Sequence, residues 1–173
     1  MKGTIVKCLQ DLVVEKFGKD KWEKSLQDVG LNKTTIFMPF SDVDDAAVMK
    51  VVQAVCKNLG ITLGQAAEAF GDYWVNVYSQ KLYKQYYTKH NSAKAFLLDM
   101  DKLHVTMTQT IKNAKPPRFK YEWKNDNTLI MHYSSHRGLI DFLYGLVKGV
   151  GTFYKENLNV SKIGSDKVQI VFP

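Results

Sequence analysis

Few residues in this chain are equipped for chemistry: four histidines, two cysteines, and the arginines Arg118 and Arg137 among 24 basic side chains. His104 is the most suggestive. It lies in "LLDMDKLHVTM" (97–107), on one helical stripe with Leu97, Met100, Met107, Thr108 and Ile111. An imidazole there either gives its ring N–H to a backbone carbonyl or offers a nitrogen lone pair to a metal. His132 and His136 are four residues apart but straddle a strand end and a turn, so they do not share a helix face. Cys8 and Cys56 form no CxxC pair, and no ligand set for a small cation stands at useful spacing. A haem asks for less, because the porphyrin brings four nitrogens and needs one axial histidine, an apolar slot and donors for two propionates. "YSSHR" (133–137) offers a phenol, a hydroxyl and a guanidinium, the last able to grip a carboxylate through two parallel bonds. Taken alone, Tyr, Ser and Arg at a strand end more often just satisfy a turn.

The elements that must carry these residues are marked by periodicity. Ile5, Leu9, Leu12 and Val13 form a helical stripe stopping near Gly18, and Trp22, Leu26 and Val29 a second ended by Gly30. "SDVD" (41–44) opens a helix through Val48, Val51, Val52, Val55 and Leu59 to Gly60. Thr62 with Gln65 opens another through Phe70, Trp74 and Val77, interrupted by Gly71, which is either a flexible point or a close-packing site. "YKQYYTKHN" (83–91) reads as a polar connection. Ser92 caps the helix of His104, which "KPPR" (115–118) ends, since proline cannot continue a helix. Phe119, Tyr121 and Trp123 then alternate, "NDN" turns, and Leu129, Met131 and Tyr133 alternate again, as in a hairpin. A helix over about 139–156 and a second hairpin through Val160–Ile163 and Val168–Phe172 complete an α+β arrangement.

Composition sets outer bounds. A chain of 173 residues with 45% hydrophobic and 24% charged content suits one soluble domain. The N-terminus is not a signal-peptide core, and no apolar run approaches the ~18 residues a membrane span needs, so a cytoplasmic protein without a membrane partner is expected. The net charge of +7 comes mostly from lysines, and the tightest group (16–24) is interleaved with Glu15, Asp20 and Glu23. That mixing favours a solvated face over a nucleic-acid groove. Sites that kept arginine are candidates for needing its planar fork.

A helical histidine followed by Pro-Pro and then Tyr-x-Ser-x-Arg resembles the H-NOX family, the haem nitric oxide/oxygen-binding domains related to the haem domain of soluble guanylate cyclase. The resemblance runs over essentially the whole chain, through "MKGTIV", "AAEAFGDYWV" (66–75), "MDKLHVTM" (100–107), "KPPRF" (115–119), "YSSHR" (133–137) and "LYGLVKGVGTFYKE" (143–156). It implies a single domain over 1–173, with an N-terminal helical sub-lobe over about 1–62 and a haem-binding sub-lobe over about 63–173. The latter would hold an antiparallel sheet of about four strands and long helices, with the haem between the two. It implies one haem b per chain, His104 as axial ligand to iron, Tyr133, Ser135 and Arg137 on the propionates, and Pro117 pressing on the porphyrin. Ile5, Leu9, Trp74 and Phe142 would line the distal pocket.

The resemblance also bears on the ligand. Bound O₂ carries negative charge on its outer oxygen and needs a hydrogen-bond donor, whereas NO and CO need far less. Oxygen-binding members of the family use a distal tyrosine, and the matching residue here is Phe142. The expectation is a non-enzymatic sensor of NO and CO that rejects O₂. It would signal through weakening of the iron–His104 bond and a lobe shift, with Gly71 as a possible pivot, to a separate protein such as a histidine kinase or a cyclic-di-GMP enzyme. An oxygen-binding H-NOX, and a haem enzyme of the peroxidase or NO dioxygenase kind, are the alternatives. The enzyme would need a distal acid–base residue, and none falls at the pocket positions.

Overall fold

The computed structural model describes all 173 residues, and the chain divides into two compact units, Met1–Ala66 and Ala67–Pro173. In the first, α1 (Gly3–Phe17), α2 (Lys19–Asp28) and α3 (Asp45–Leu59) bury the apolar stripes seen in the sequence. Val6, Leu9, Leu12 and Val13 meet solvent hardly at all, nor do Trp22, Leu26, Val48, Val51, Val52 and Val55. The N-cap of α3 is Asp44, whose carboxylate accepts the Ala47 N–H at 2.8 Å, and Gly60 ends the helix in the left-handed region with φ 65°. Asn58 on α3 gives its amide to Ser25 and Asp28 of α2, both at 3.0 Å, which fixes the two helices side by side.

α4 (Leu63–Tyr73) starts with the expected reciprocal cap: the Thr62 N–H reaches the Gln65 side chain at 2.9 Å, and the Gln65 N–H reaches the Thr62 hydroxyl at 3.2 Å. It runs on into a π-helical turn over Trp74–Tyr78, closed by a Ser79 N–H bond to the Trp74 carbonyl at 2.8 Å. Such turns hold one extra residue and are frequent at functional sites. The stretch expected as a polar connection is mostly helix instead, α5 (Gln80–Thr88). Its buried side is phenolic rather than aliphatic. Tyr87 is 5% exposed, stacks on Phe96 with centroids 4.5 Å apart, and shares a 2.9 Å hydrogen bond with the Ser79 hydroxyl.

α6 (Ala93–Thr108) is capped by Ser92, which accepts the Ala95 N–H at 3.1 Å, and by the Glu156 carboxylate, which takes the Ala93 N–H at 3.0 Å. β1 (Arg118–Asn125), β2 (Thr128–Ser134), β3 (Asn159–Ile163) and β4 (Lys167–Val171) form one antiparallel sheet in the order β1-β2-β4-β3, and α7 (Ile140–Tyr154) links its two hairpins. Phe119 lies opposite Tyr133 and Tyr121 opposite Met131 across the first hairpin, and Leu129 pairs with Ile170 across β2 and β4. Apolar members of these rows join Phe96, Leu97, Leu103, Leu143, Val147 and Val150 of α6 and α7 in one core. This is the expected α+β fold.

α4 and α7 touch backbone to backbone. A Cβ added at Gly71 would stand 2.1 Å from the Gly145 carbonyl carbon, and one at Gly145 would stand 2.2 Å from the Ala67 carbonyl oxygen. A Cβ at Gly149 would come within 2.7 Å of the Gly71 oxygen. Gly71 is therefore a close-packing residue, and the idea of a pivot there is set aside.

Candidate functional site

α6 carries His104 toward the segment that follows it. The imidazole Nδ1 lies 3.3 Å from the Pro117 carbonyl. A carbonyl only accepts, so Nδ1 holds the ring proton and Nε2 carries the lone pair. Burial is the largest influence on this imidazole and lowers its pKa, partly countered by the Pro117 carbonyl and Asp101. The neutral, ligating form is favoured as a result. Yet the residue keeps an accessible edge. His90 makes the contrast plain: both of its nitrogens are engaged, Nδ1 with the Tyr86 carbonyl at 2.8 Å and Nε2 with Asp99 at 3.2 Å. His90 is the satisfied core histidine. His104 has Nδ1 anchored and Nε2 uncommitted, the division an axial ligand requires.

The Pro-Pro segment is held from both sides. While His104 takes the Pro117 carbonyl, Arg137 donates from Nη1 to the Lys115 carbonyl at 2.8 Å. His104, Pro117 and Arg137 thus converge although the first and the last stand 33 positions apart in the chain. Arg137 is presented by the turn joining β2 to α7. Its N–H reaches the Ser135 hydroxyl at 3.3 Å, and Gly138, at φ 60°, lets the chain reverse there. Tyr133, at the end of β2, accepts the Leu139 N–H at 3.4 Å, which leaves its phenol proton for another acceptor. Rings of His104, Phe119 and Tyr133 follow one another with centroids 5.5 and 6.2 Å apart. These residues suit a haem: one uncommitted imidazole nitrogen, an apolar and aromatic flank, and a phenol, hydroxyl and guanidinium on one turn for carboxylates.

Trp74 and Phe142 belong to a second aromatic group. Phe70 stacks on Trp74 at 5.9 Å and meets Phe142 edge-on at 5.4 Å, and Trp74 stacks on Tyr78 at 5.4 Å. The π-helical turn sets the angular positions of Trp74 and Tyr78 on the helix. Trp74 and Phe142 are both half-buried. Ile5 and Leu9 lie in the first unit, one turn apart on α1, with Ile5 half-buried and Leu9 buried.

Sequence reasoning missed Phe70, and it missed Asp101. The Asp101 carboxylate receives Nε and Nη2 of Arg118, both at 2.8 Å, and the Phe119 N–H, also at 2.8 Å. The Arg118 bond is the main cause holding this carboxyl down at about 2. Scarcity of arginine was the one available signal, and it pointed at the fork without naming its carboxylate.

Comparison with known proteins fits this geometry. Residues 2–162 match the family model described as Haem-NO-binding. The soluble guanylate cyclase gcy-34 of Caenorhabditis elegans is 28% identical over 177 residues, covering 98% of this chain and 25% of its own. The chain thus spans about a quarter of the length of the curated relatives it matches. A Cs H-NOX variant bearing 4-cyano-L-phenylalanine superposes with a TM-score of 0.88 at 27% identity, over 99% of this chain and 96% of its own. An oxygen-binding H-NOX domain related to soluble guanylate cyclases, in its oxygen complex, does so with a TM-score of 0.82 at 27% identity, over 99% and 95%. With its helices, its four-stranded sheet and its histidine set on a Pro-Pro segment, this chain belongs to the haem-NO-binding, or H-NOX, family of gas-sensor domains.

Proposed function

We propose that the chain is a haem b sensor domain that binds NO and CO at ferrous iron, discriminates against O₂ and has no catalytic step of its own. The observation that carries this reading is the divided role of the His104 ring, with Nδ1–H given to Pro117 and the Nε2 lone pair left to ligate. When bound, the haem would supply an iron centre that takes a diatomic ligand, and His104 would hold that iron through Nε2, by the bond whose weakening under NO would be the signal. Tyr133, Ser135 and Arg137 orient the group through its propionates, and Pro117 presses against its face. Discrimination rests on Phe142, which offers ring hydrogens beside Phe70 where a donor to O₂ would need a hydroxyl. In this reading the domain works in the cytoplasm. Its effector is a separate protein such as a histidine kinase or a cyclic-di-GMP enzyme, and no nucleic acid or membrane takes part.

Absorption spectra of the reduced protein test the proposal. NO and CO should each shift the Soret band, while air should leave a five-coordinate ferrous spectrum; a stable oxygen complex refutes the discrimination. His104→Gly should lose axial ligation and regain it with added imidazole. Phe142→Tyr should slow O₂ dissociation by about tenfold or more, the worth of one hydrogen bond to a charged acceptor.

A further inference from the structure

α6 and the segment around β1 meet along one row of polar contacts ending at His104. One turn before the histidine, Asp101 receives the Arg118 fork and the Phe119 N–H. One turn earlier, the Tyr121 hydroxyl donates to the Leu97 carbonyl at 2.9 Å and accepts the Asp101 N–H at 3.3 Å. Those two backbone groups are helix partners four residues apart, so the phenol is wedged beside the ladder of α6 itself. As the strand runs from Pro117 to Tyr121, its contacts climb α6 from His104 through Asp101 to Leu97. The last tooth is the weakest: a single 3.3 Å contact from His104 to Pro117, against three 2.8 Å contacts at Asp101.

We propose that Asp101, with Arg118 and Tyr121, is a latch that positions His104: it fixes α6 to β1 up to Asp101 and confines movement on iron-bond release to the helix beyond it. Residues 102–108 then form the moving arm. Val105 and Thr106 on that arm are exposed, and the chain after it to Pro117 has no helix or strand. With the latch closed, Nδ1 is held to Pro117 and the ring re-forms its bond to iron after each transient break. With the latch open, the ring swings away and recapture fails more often. The inference rests on His104 being the axial ligand.

The test uses the full chain loaded with haem, in the variants Arg118→Lys and Asp101→Asn. Arg118→Lys keeps the charge but loses the fork. Since Arg118 is 60% exposed, loss of the fork should raise the rate of His104 loss under NO by only about two- to fivefold. Asp101→Asn weakens all three contacts at once, and about tenfold is expected. Two readouts are needed. Stopped-flow absorbance follows conversion of the six-coordinate to the five-coordinate NO form, and histidine-selective ¹⁵N NMR of the diamagnetic ferrous–CO form follows hydrogen exchange at Nδ1–H. Faster conversion together with faster Nδ1–H exchange supports the latch. A lowered melting temperature with both rates unchanged overturns it and leaves the axial role of His104 standing. An unchanged ferrous spectrum in His104→Gly overturns the axial role, and the latch with it.

Discussion

Replacing Gly71 by alanine puts the close contact of α4 and α7 to a numerical test. The new methyl would sit 2.1 Å from the Gly145 carbon, 2.3 Å from its oxygen and 2.4 Å from the Leu146 nitrogen. All three are backbone atoms, so no rotamer change relieves the overlap, and the helices must part by about 1 Å with loss of packing along the seam. Overpacking of this kind costs about 1–3 kcal/mol. Alanine returns at most about 1 kcal/mol of helix propensity. A net loss of about 1 kcal/mol follows, and for a domain of this size the melting temperature should fall by about 2–4 °C. Gly64→Ala is the control: it lies in the same helix, but its added Cβ meets only the Thr62 hydroxyl at 3.9 Å. There the propensity gain stands alone, and the melting temperature should rise by about 2–4 °C. Circular dichroism melts at matched haem saturation measure both, since bound ligand shifts the midpoint. A Gly71→Ala protein that melts with or above the wild type would refute the backbone contact.

Other expectations concern the polar groups around His104. Arg137→Lys should lose the planar fork that reaches the Lys115 carbonyl, and haem transfer to an excess of scavenger apoprotein should quicken by about tenfold. Unchanged haem loss would remove Arg137 from the propionate clamp. Asp101 titrates at about 2 rather than 3.8. A carboxyl lowered on folding binds fewer protons folded than unfolded, so its contribution is complete above about pH 4 and fades toward about pH 2. Urea midpoints taken through that window should fall less steeply in Asp101→Asn than in the wild type.

The parts of the fold that were legible in the sequence are those where local signals agree. Thr62 with Gln65, Ser92 and Gly60 mark helix ends through bonds to residues three or four places away, and the aromatic and aliphatic residues of the first hairpin recur at every second position on either side of a turn. Reading failed where the period itself changes. The π-helical turn at Trp74–Tyr78 adds a residue and rotates everything after it, while the buried side of α5 is built from Tyr83, Tyr86 and Tyr87 instead of aliphatic residues. His104, Pro117 and the Tyr133–Ser135–Arg137 turn were legible because a short motif carries them. The bonds from Asp101 to Arg118 and from Arg137 to Lys115 were not, because they join residues 17 and 22 positions apart that lie in different elements.

The strand order also has a bearing on synthesis. β4 is made after the other three strands yet lies inside the sheet, between β2 and β3. Until the chain through Val171 has left the ribosome, the inner edge of β2 has no partner and β3 has nothing to pair with. The core side chains Val168 and Ile170, both fully buried, arrive with that last strand. From the completion of β2 at Ser134 until β4 emerges, a nascent chain therefore exposes an unpaired strand edge, an aggregation hazard, and completion of the sheet waits for Lys167–Val171. The matched family segment closes at residue 162, ahead of β4. A truncation there would remove an interior strand rather than a dispensable tail.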